Sequence, residues 1–276
     1  MTGGGATSRI ADGARGRLAG RVALVTGAGG PNGIGFACAR ILGREGASVA
    51  LTSTTARIHE RAAELQAGGV RAFSFVADLV DGKQADALVA AATDAFGRID
   101  VLVNNAGMVS VGENEIHKEL PDLSDAEWRH GIDITLTTAF NVTRAVLPGM
   151  VARGYGRIVN VASVTGPVVS NPRSSFYSAA KAGMVGLTRS VALDVGRKGI
   201  TVNAVLPGWV LTGSSTEAEN VGGRHTPIGR SGTPGEIAEL VAFLASEAAS
   251  YITGEAVVID GGNCIQEYKG PSEGYY

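Results

Sequence analysis

The sequence predicts an α/β protein built on a doubly wound parallel sheet of about seven strands. Three observations carry that expectation. Short, β-branched apolar runs alternate with longer helical stretches, the first five runs are almost continuously apolar, and a glycine-rich turn joins the first run to the first helix. Continuously apolar strands are expected where helices cover both faces of a parallel sheet, with right-handed crossovers joining successive strands. At 276 residues, 45% hydrophobic and 18% charged, the chain has material for one large core. No linker rich in Pro, Ser or charge and no internal repeat divides it, so a single domain is expected over 21–262.

Taken in order, Val-Ala-Leu-Val-Thr at 22–26 gives the first strand, and the glycines after it open a helix near 34–45. Strand 48–52 leads through hydroxyl residues to helix 57–67, and strand 71–76 to helix 83–96. Strand 100–104 precedes a long helix over 125–152, which Pro148 should kink or end near its C-terminus. Strand 157–162 is followed by helix 176–197, strand 200–206 by helix 235–246, and strand 256–259 closes the series. The first twenty residues, rich in Gly, Ala and Arg, lack the apolar core of a signal peptide and read as a flexible arm. Residues 263–276 form a C-terminal tail.

Composition excludes several classes of function. A net charge of -2 argues against a general binder of nucleic acid or anionic membrane. No apolar run approaches a membrane span. Cys38 and Cys264 give no disulfide framework, and a reducing cytoplasm is the simplest setting. His59, His117, His130 and His225 lack ligand spacing, so no metal is expected.

Chemistry is concentrated in Phe176-Tyr177-Ser178-Ala179-Ala180-Lys181, with Ser163 upstream. Tyr177 and Lys181 stand one helical turn apart, so both side chains leave the same helix face. A phenol ordinarily titrates near about 10, and a neighbouring ammonium draws it down to where it exchanges protons usefully. By itself the pair is equally compatible with a packed tyrosine beside a solvated lysine. Ligands of open α/β sheets bind beyond the carboxyl ends of the strands, which is where Ser163 and the start of helix 176–197 fall.

The turn from Thr26 through Gly27 to Gly33, Ile34 and Gly35 lies at the first βα junction. Glycines there let backbone N–H groups approach a pyrophosphate at the positive end of the helix. NAD-binding sites commonly place an acid at the end of the second strand to hold the ribose 2′-hydroxyl. Here that stretch runs through Ser53 to Arg57 with no carboxylate before Glu60. Hydroxyls and a guanidinium suit a 2′-phosphate, so NADP(H) is expected, with NAD as the alternative. Arg57 opening a helix with its head in water is the plainer reading of that residue.

Together these residues resemble the short-chain dehydrogenase/reductase family, from Arg21 to Gly262. The matching pieces are the Thr-Gly…Gly-Ile-Gly turn, Asp78, Asn104-Asn105-Ala106-Gly107, the Ser163, Tyr177 and Lys181 trio, Pro207-Gly208 with Val210 and Thr212, and Asp260-Gly261-Gly262. The resemblance implies a Rossmann fold. It makes Tyr177 the acid in carbonyl reduction and the base in reverse, Ser163 a donor to the substrate oxygen, and Lys181 the tuner of Tyr177 and binder of the nicotinamide ribose. The cofactor would run along Gly27, Asn32, Gly33, Ile34, Gly35, Ser53 and Arg57. It would continue past Asp78 and Leu79 at the adenine, then Asn104, Asn105, Ala106 and Gly107, to Pro207, Gly208, Val210 and Thr212 at the carboxamide. Asp78 as a turn cap and the asparagines as ordinary turn residues are the plainer alternatives.

Three departures stand out. The glycine turn holds two more residues than the family's, including Pro31. Thr135 falls where the family has a catalytic asparagine, and Asn141 is offset from that helix face. Gly154 and Leu193 replace arginines that reductases of carrier-bound substrates present, while Arg153, Arg157 and Arg173 are expected on a solvated face. Residues 211–232 read as a substrate lid, and Trp209 as a wall beside the substrate or a core anchor for that loop. The tail reaches a neighbouring subunit or its own site's rim. An NADP-dependent oxidoreductase on a small ketone, a 3-oxoacyl compound or a secondary alcohol is expected, in a homo-oligomer resembling the family's tetramers. A dinucleotide sensor or scaffold with little turnover is the alternative.

Overall fold

The computed structural model describes residues 16–107 and 116–270. Seven strands form one sheet: β1 (Val22–Val25), β2 (Ser48–Ser53), β3 (Ala72–Val76), β4 (Val101–Asn104), β5 (Gly156–Val161), β6 (Ile200–Pro207) and β7 (Ala256–Ile259). Every pairing is parallel, in the order β3-β2-β1-β4-β5-β6-β7. The order reverses between β1 and β4, which opens a crevice at their carboxyl ends.

Eight helices complete the described fold: α1 (Ile34–Arg44), α2 (Arg57–Ala67), α3 (Gly82–Phe96), α4 (Asp125–Ile132), α5 (Thr138–Arg153), α6 (Ser175–Val195), α7 (Glu217–Arg224) and α8 (Pro234–Leu244). Strand period decides which helices meet which face. Ala23, Val25, Val49, Leu51, Val101 and Val103 point into a core filled by α1, α2 and α8. Leu24, Ala50, Leu102 and Ile158 point the other way, against α3, α5 and α6. The doubly wound prediction holds because β1, β4, β5 and β6 are buried on both faces along their whole lengths.

Four expectations need correction. The helix over 125–152 is interrupted by a π-helical turn at Asp133–Thr137. Of the two outcomes expected at Pro148, an end is ruled out, because the helix runs on to Arg153. Pro148 and Arg144 both lie on the exposed face, so the Arg144 carbonyl that loses its helical partner faces water. The N-terminal arm is shorter than twenty residues, because Leu18 is buried and its N–H donates to the Glu45 carbonyl at 2.9 Å; residues 1–15 lie outside the described residues. Arg157 is not on a solvated face. It is buried at the amino end of β5, its guanidinium 4.5 Å above the Tyr155 ring and 3.2 Å from Glu247.

Candidate active site

At the carboxyl ends of the strands lies a cavity of about 1330 Å³. Its nucleotide half begins where Thr26 ends β1. Thr26 Oγ1 accepts from Asn105 N and Ala106 N, both at 3.0 Å, and Asn105 Nδ2 donates to the carbonyls of Thr26 (3.1 Å) and Gly27 (3.0 Å). These bonds strap the loop after β4 to the glycine turn. Gly27 adopts φ +65°, a region that favours glycine. A Cβ on Gly35 would stand 2.6 Å from the Gly27 carbonyl oxygen, so only glycine lets α1 start this close to β1.

The start of α1 differs from those of α3, α4, α7 and α8. Capping boxes close α4 (Ser124 with Glu127), α7 (Thr216 with Glu219) and α8 (Thr233 with Glu236), and Asp81 caps α3. Gly33 at the start of α1 brings no side-chain cap. The first N–H groups of that helix therefore face the cavity as an anion cradle that fits a dinucleotide pyrophosphate. Gly29 and Gly30, within the lengthened turn, line the cavity as well. A Cβ on Gly29 would meet Ser53 Oγ at 2.9 Å, so the added length folds against the end of β2. Arg57 Nε donates to Thr55 Oγ1 at 3.2 Å, with the side chain on the cavity wall.

The catalytic half is set by β5 and α6. Ser163 follows β5, and its Oγ accepts from Thr165 N at 3.0 Å. On α6, Phe176, Ala180, Met184 and Thr188 recur at helical spacing and are buried. That register turns Tyr177 and Lys181 toward the cavity. Gly131 of α4 lies against the Phe176 ring, where any side chain would collide. Lys181 is buried; its Nζ donates to the Val161 carbonyl at 2.8 Å and sits 5.6 Å from the Tyr177 ring centroid. Burial lowers the Lys181 pKa to about 8, because the interior disfavours the ammonium.

The residues expected from sequence to be catalytic or to bind the cofactor all line this cavity except Gly35, Thr135 and Asn104. Gly35 acts from behind, by packing on the turn. Thr135 is fully buried in the π-helical turn, and its Oγ1 has no hydrogen-bond partner among the described residues. It lies against Gly107, whose Cβ would stand 3.3 Å from that oxygen. The Asn104 side chain points into the interior, donating to Thr143 Oγ1 (2.9 Å) and Asn160 Oδ1 (2.8 Å). As the last residue of β4, it alternates to the face opposite the ligand edge. Asn141 donates to the carbonyls of Leu79 and Val80 and so anchors the loop after β3. Asp78 lines the cavity, and its carboxylate accepts from Val80 N at 3.1 Å.

Residues 211–232 border the cavity and are closed at their base. Leu211 N donates to the Gly232 carbonyl and Gly232 N to the Trp209 carbonyl, each at 2.9 Å. Trp209 lines the cavity while its indole packs on Gly222 of α7, so it is both wall and anchor. Sequence reasoning missed α7, although Thr216-x-x-Glu219 was a capping-box signal. It also missed His117, His225, Asn263 and Lys269 on the cavity wall, which are brought in by loops and tail without local pattern. The final Glu-Gly-Tyr-Tyr lies outside the described residues. No described helix is long and apolar enough to cross a membrane.

A glycine cradle at the sheet's switch point, facing a Ser-Tyr-Lys trio across one cavity, defines a dinucleotide-dependent α/β oxidoreductase. The chain belongs to the short-chain dehydrogenase/reductase family: the family model described as enoyl-(acyl carrier protein) reductase matches residues 27–263. Oxidoreductase UcpA of Salmonella typhimurium is 40% identical over 264 residues, covering 91% of this chain and 97% of the relative. The 3-oxoacyl-(acyl-carrier-protein) reductase FabG of Vibrio cholerae is 40% identical over 252 residues, covering 89% and 98%. A mutant short-chain dehydrogenase/reductase of Serratia marcescens superposes with a TM-score of 0.80 at 33% identity, covering 90% of this chain and 99% of that one.

Proposed function

We propose that the protein interconverts a ketone and a secondary alcohol with NADP(H), using Tyr177 as general acid and base. The observation that carries the reading is the convergence of Ser163, Tyr177 and Lys181 on the cavity that the glycine turn opens into. A bound nicotinamide supplies or receives the hydride. The N–H groups at the start of α1 hold the pyrophosphate, Ser53 and Arg57 hold the 2′-phosphate, and Asp78 with Leu79 border the adenine. Asn105, Ala106 and Gly107 border the groove beside Lys181, which holds the ribose hydroxyls. Val210 and Thr212 orient the carboxamide.

Ser163 Oγ already accepts a hydrogen bond from Thr165 N, which leaves its own O–H to donate to the substrate oxygen. Tyr177 gives that oxygen its proton in reduction and takes it back in oxidation. Lys181, as a cation in a water-poor site, favours the phenolate that forms when the proton leaves. Segment 211–232 closes over the substrate from its base at Trp209 and Gly232. The substrate is a small or 3-oxoacyl-type carbonyl compound. The protein works in a reducing cytoplasm as a homotetramer packed through α5 and α6, whose Phe140 and Leu193 are exposed on the single chain.

NADPH oxidation followed against ketones, 3-oxoacyl thioesters and enoyl thioesters tests the reading. Turnover of a ketone, with Tyr177→Phe lowering kcat by at least about a hundredfold and leaving NADPH affinity intact, is expected. Retention of most activity by that variant would remove Tyr177 from the mechanism, and tight NADPH binding without turnover of any compound would favour a sensor. Arg57→Ala should weaken NADPH binding about tenfold or more and leave NADH unchanged. An enzyme that already prefers NADH would defeat the assignment of NADP.

A further inference from the structure

We propose that the C-terminal tail supplies the substrate site with a cation, Lys269, and that the substrate carries a carboxylate read by it. The proposal rests on the oxidoreductase reading above and names the substrate class within it. Tail geometry brings Lys269 to the cavity. Asp260, just after β7, accepts from Gly262 N (2.9 Å) and Cys264 N (2.7 Å), which turns the chain back over the sheet edge. Gln266 Nε2 then donates to the His225 carbonyl at 2.8 Å, and Gly262 packs on Pro227. These contacts pin the tail to the segment after α7, and Lys269 lies on the rim of the cavity that holds Ser163 and Tyr177.

Strand order decides which ligand Lys269 meets. The nucleotide half is built on β1, β2 and β3, and β3 is one edge of the sheet; the tail leaves β7, the other edge. Lys269 therefore serves the substrate side. Among the described residues no carboxylate forms an ion pair with it. The cavity's own carboxylates are otherwise engaged. Asp78 belongs to the β3 end, and Glu219 Oε2 accepts from Thr216 N (2.7 Å) and Thr216 Oγ1 (3.0 Å) to cap α7. A lysine on a flexible stem, with three donors and no ion-pair partner among the described residues, suits one carboxylate on a substrate whose carbonyl lies deeper, at Tyr177.

Isothermal titration of the NADP⁺-loaded protein tests this with 4-oxopentanoate, 5-oxohexanoate and 4-oxocyclohexanecarboxylate, each against its carboxamide. The best acid should bind at least about fivefold more tightly than its amide, with the preference shrinking as salt rises. Lys269→Met should bring that ratio to about one, and Lys269→Arg should keep it above about three. A ratio near one for every wild-type pair, or no measurable binding of any acid, overturns the proposal. So does a Lys269→Met protein that keeps the ratio or loses NADP⁺ affinity instead. Turnover of neutral ketones without acid preference would sink this inference alone, whereas acid preference without turnover of any ketone would sink the oxidoreductase reading.

Discussion

Replacing Lys181 by methionine separates what this side chain does for chemistry from what it costs the fold. Burial lowers its pKa from 10.5 to about 8. In the unfolded chain the ammonium returns to its ordinary value near about 10.4. Below about pH 8 both states hold the proton, and the native state carries the whole penalty of the buried charge, about 3 kcal/mol. Between about pH 8 and about pH 10.5 the unfolded state binds more protons, so wild-type stability rises with pH, and above that window the penalty is gone. At about pH 9.5 it has fallen to about 1 kcal/mol. Methionine keeps the stem and cannot titrate, but gives up the hydrogen bond to the Val161 carbonyl, worth about 1.5 kcal/mol. Lys181→Met should therefore exceed wild type by about 1–2 kcal/mol at neutral pH and be level with it or slightly less stable by about pH 9.5. Urea denaturation of cofactor-free protein at one fixed protein concentration measures the difference, and ketone turnover should fall at least about a hundredfold. A stability gap that stays constant between those pH values would refute the buried-ammonium argument.

The Gly35→Ala variant places a Cβ 2.6 Å from the Gly27 carbonyl oxygen, so the glycine turn must shift at about 1–3 kcal/mol. NADPH affinity by fluorescence titration should fall about tenfold, and an unchanged Kd would show that the turn does not hold the cofactor. Thr135→Val removes a buried hydroxyl that lacks a partner among the described residues, so stability in urea should rise by up to about 1 kcal/mol. Loss of more than about 1 kcal/mol would show that the hydroxyl makes a bond after all.

Much of the fold was legible because strand burial writes itself into sequence. A strand buried on both faces is apolar almost throughout: β1 is apolar at every position, and β4 is apolar up to Asn104. The candidate site was legible for a related reason: glycines at the turn and a tyrosine and lysine one turn apart are local patterns. What escaped was non-local. Whether Pro148 stops a helix depends on which face it occupies, which the surrounding packing decides. Arg157 looks like a surface charge until Tyr155, Arg21 and Glu247 gather around it. Lys269 reaches the cavity only through a tail whose path is set by Asp260 and Gln266.

The least legible feature also explains how the two halves of the site stay in register. One half of the cavity is lined by the glycine turn and the loops after β2, β3 and β4, while Ser163, Tyr177 and Lys181 come from the end of β5 and from α6. A buried chain of side chains joins them: Asn104 donates to Thr143 of α5 and to Asn160 of β5, Asn160 Nδ2 donates to Thr188 of α6 (2.8 Å), and Thr188 donates to the Met184 carbonyl (2.8 Å). Apolar residues of equal volume would fill the same space and spare the desolvation of these amides. They would also let α6 slide, because dispersion contacts have no preferred direction. Hydrogen bonds do, and a displacement of about 1 Å between hydride and proton donors is enough to cost about a hundredfold in rate. The polar chain meets α6 at Thr188, about two turns beyond Lys181, and ties that helix to β5 and, through Asn104, to β4. Among the described residues Asn104 Oδ1 has no partner, and a buried carbonyl oxygen without one costs stability.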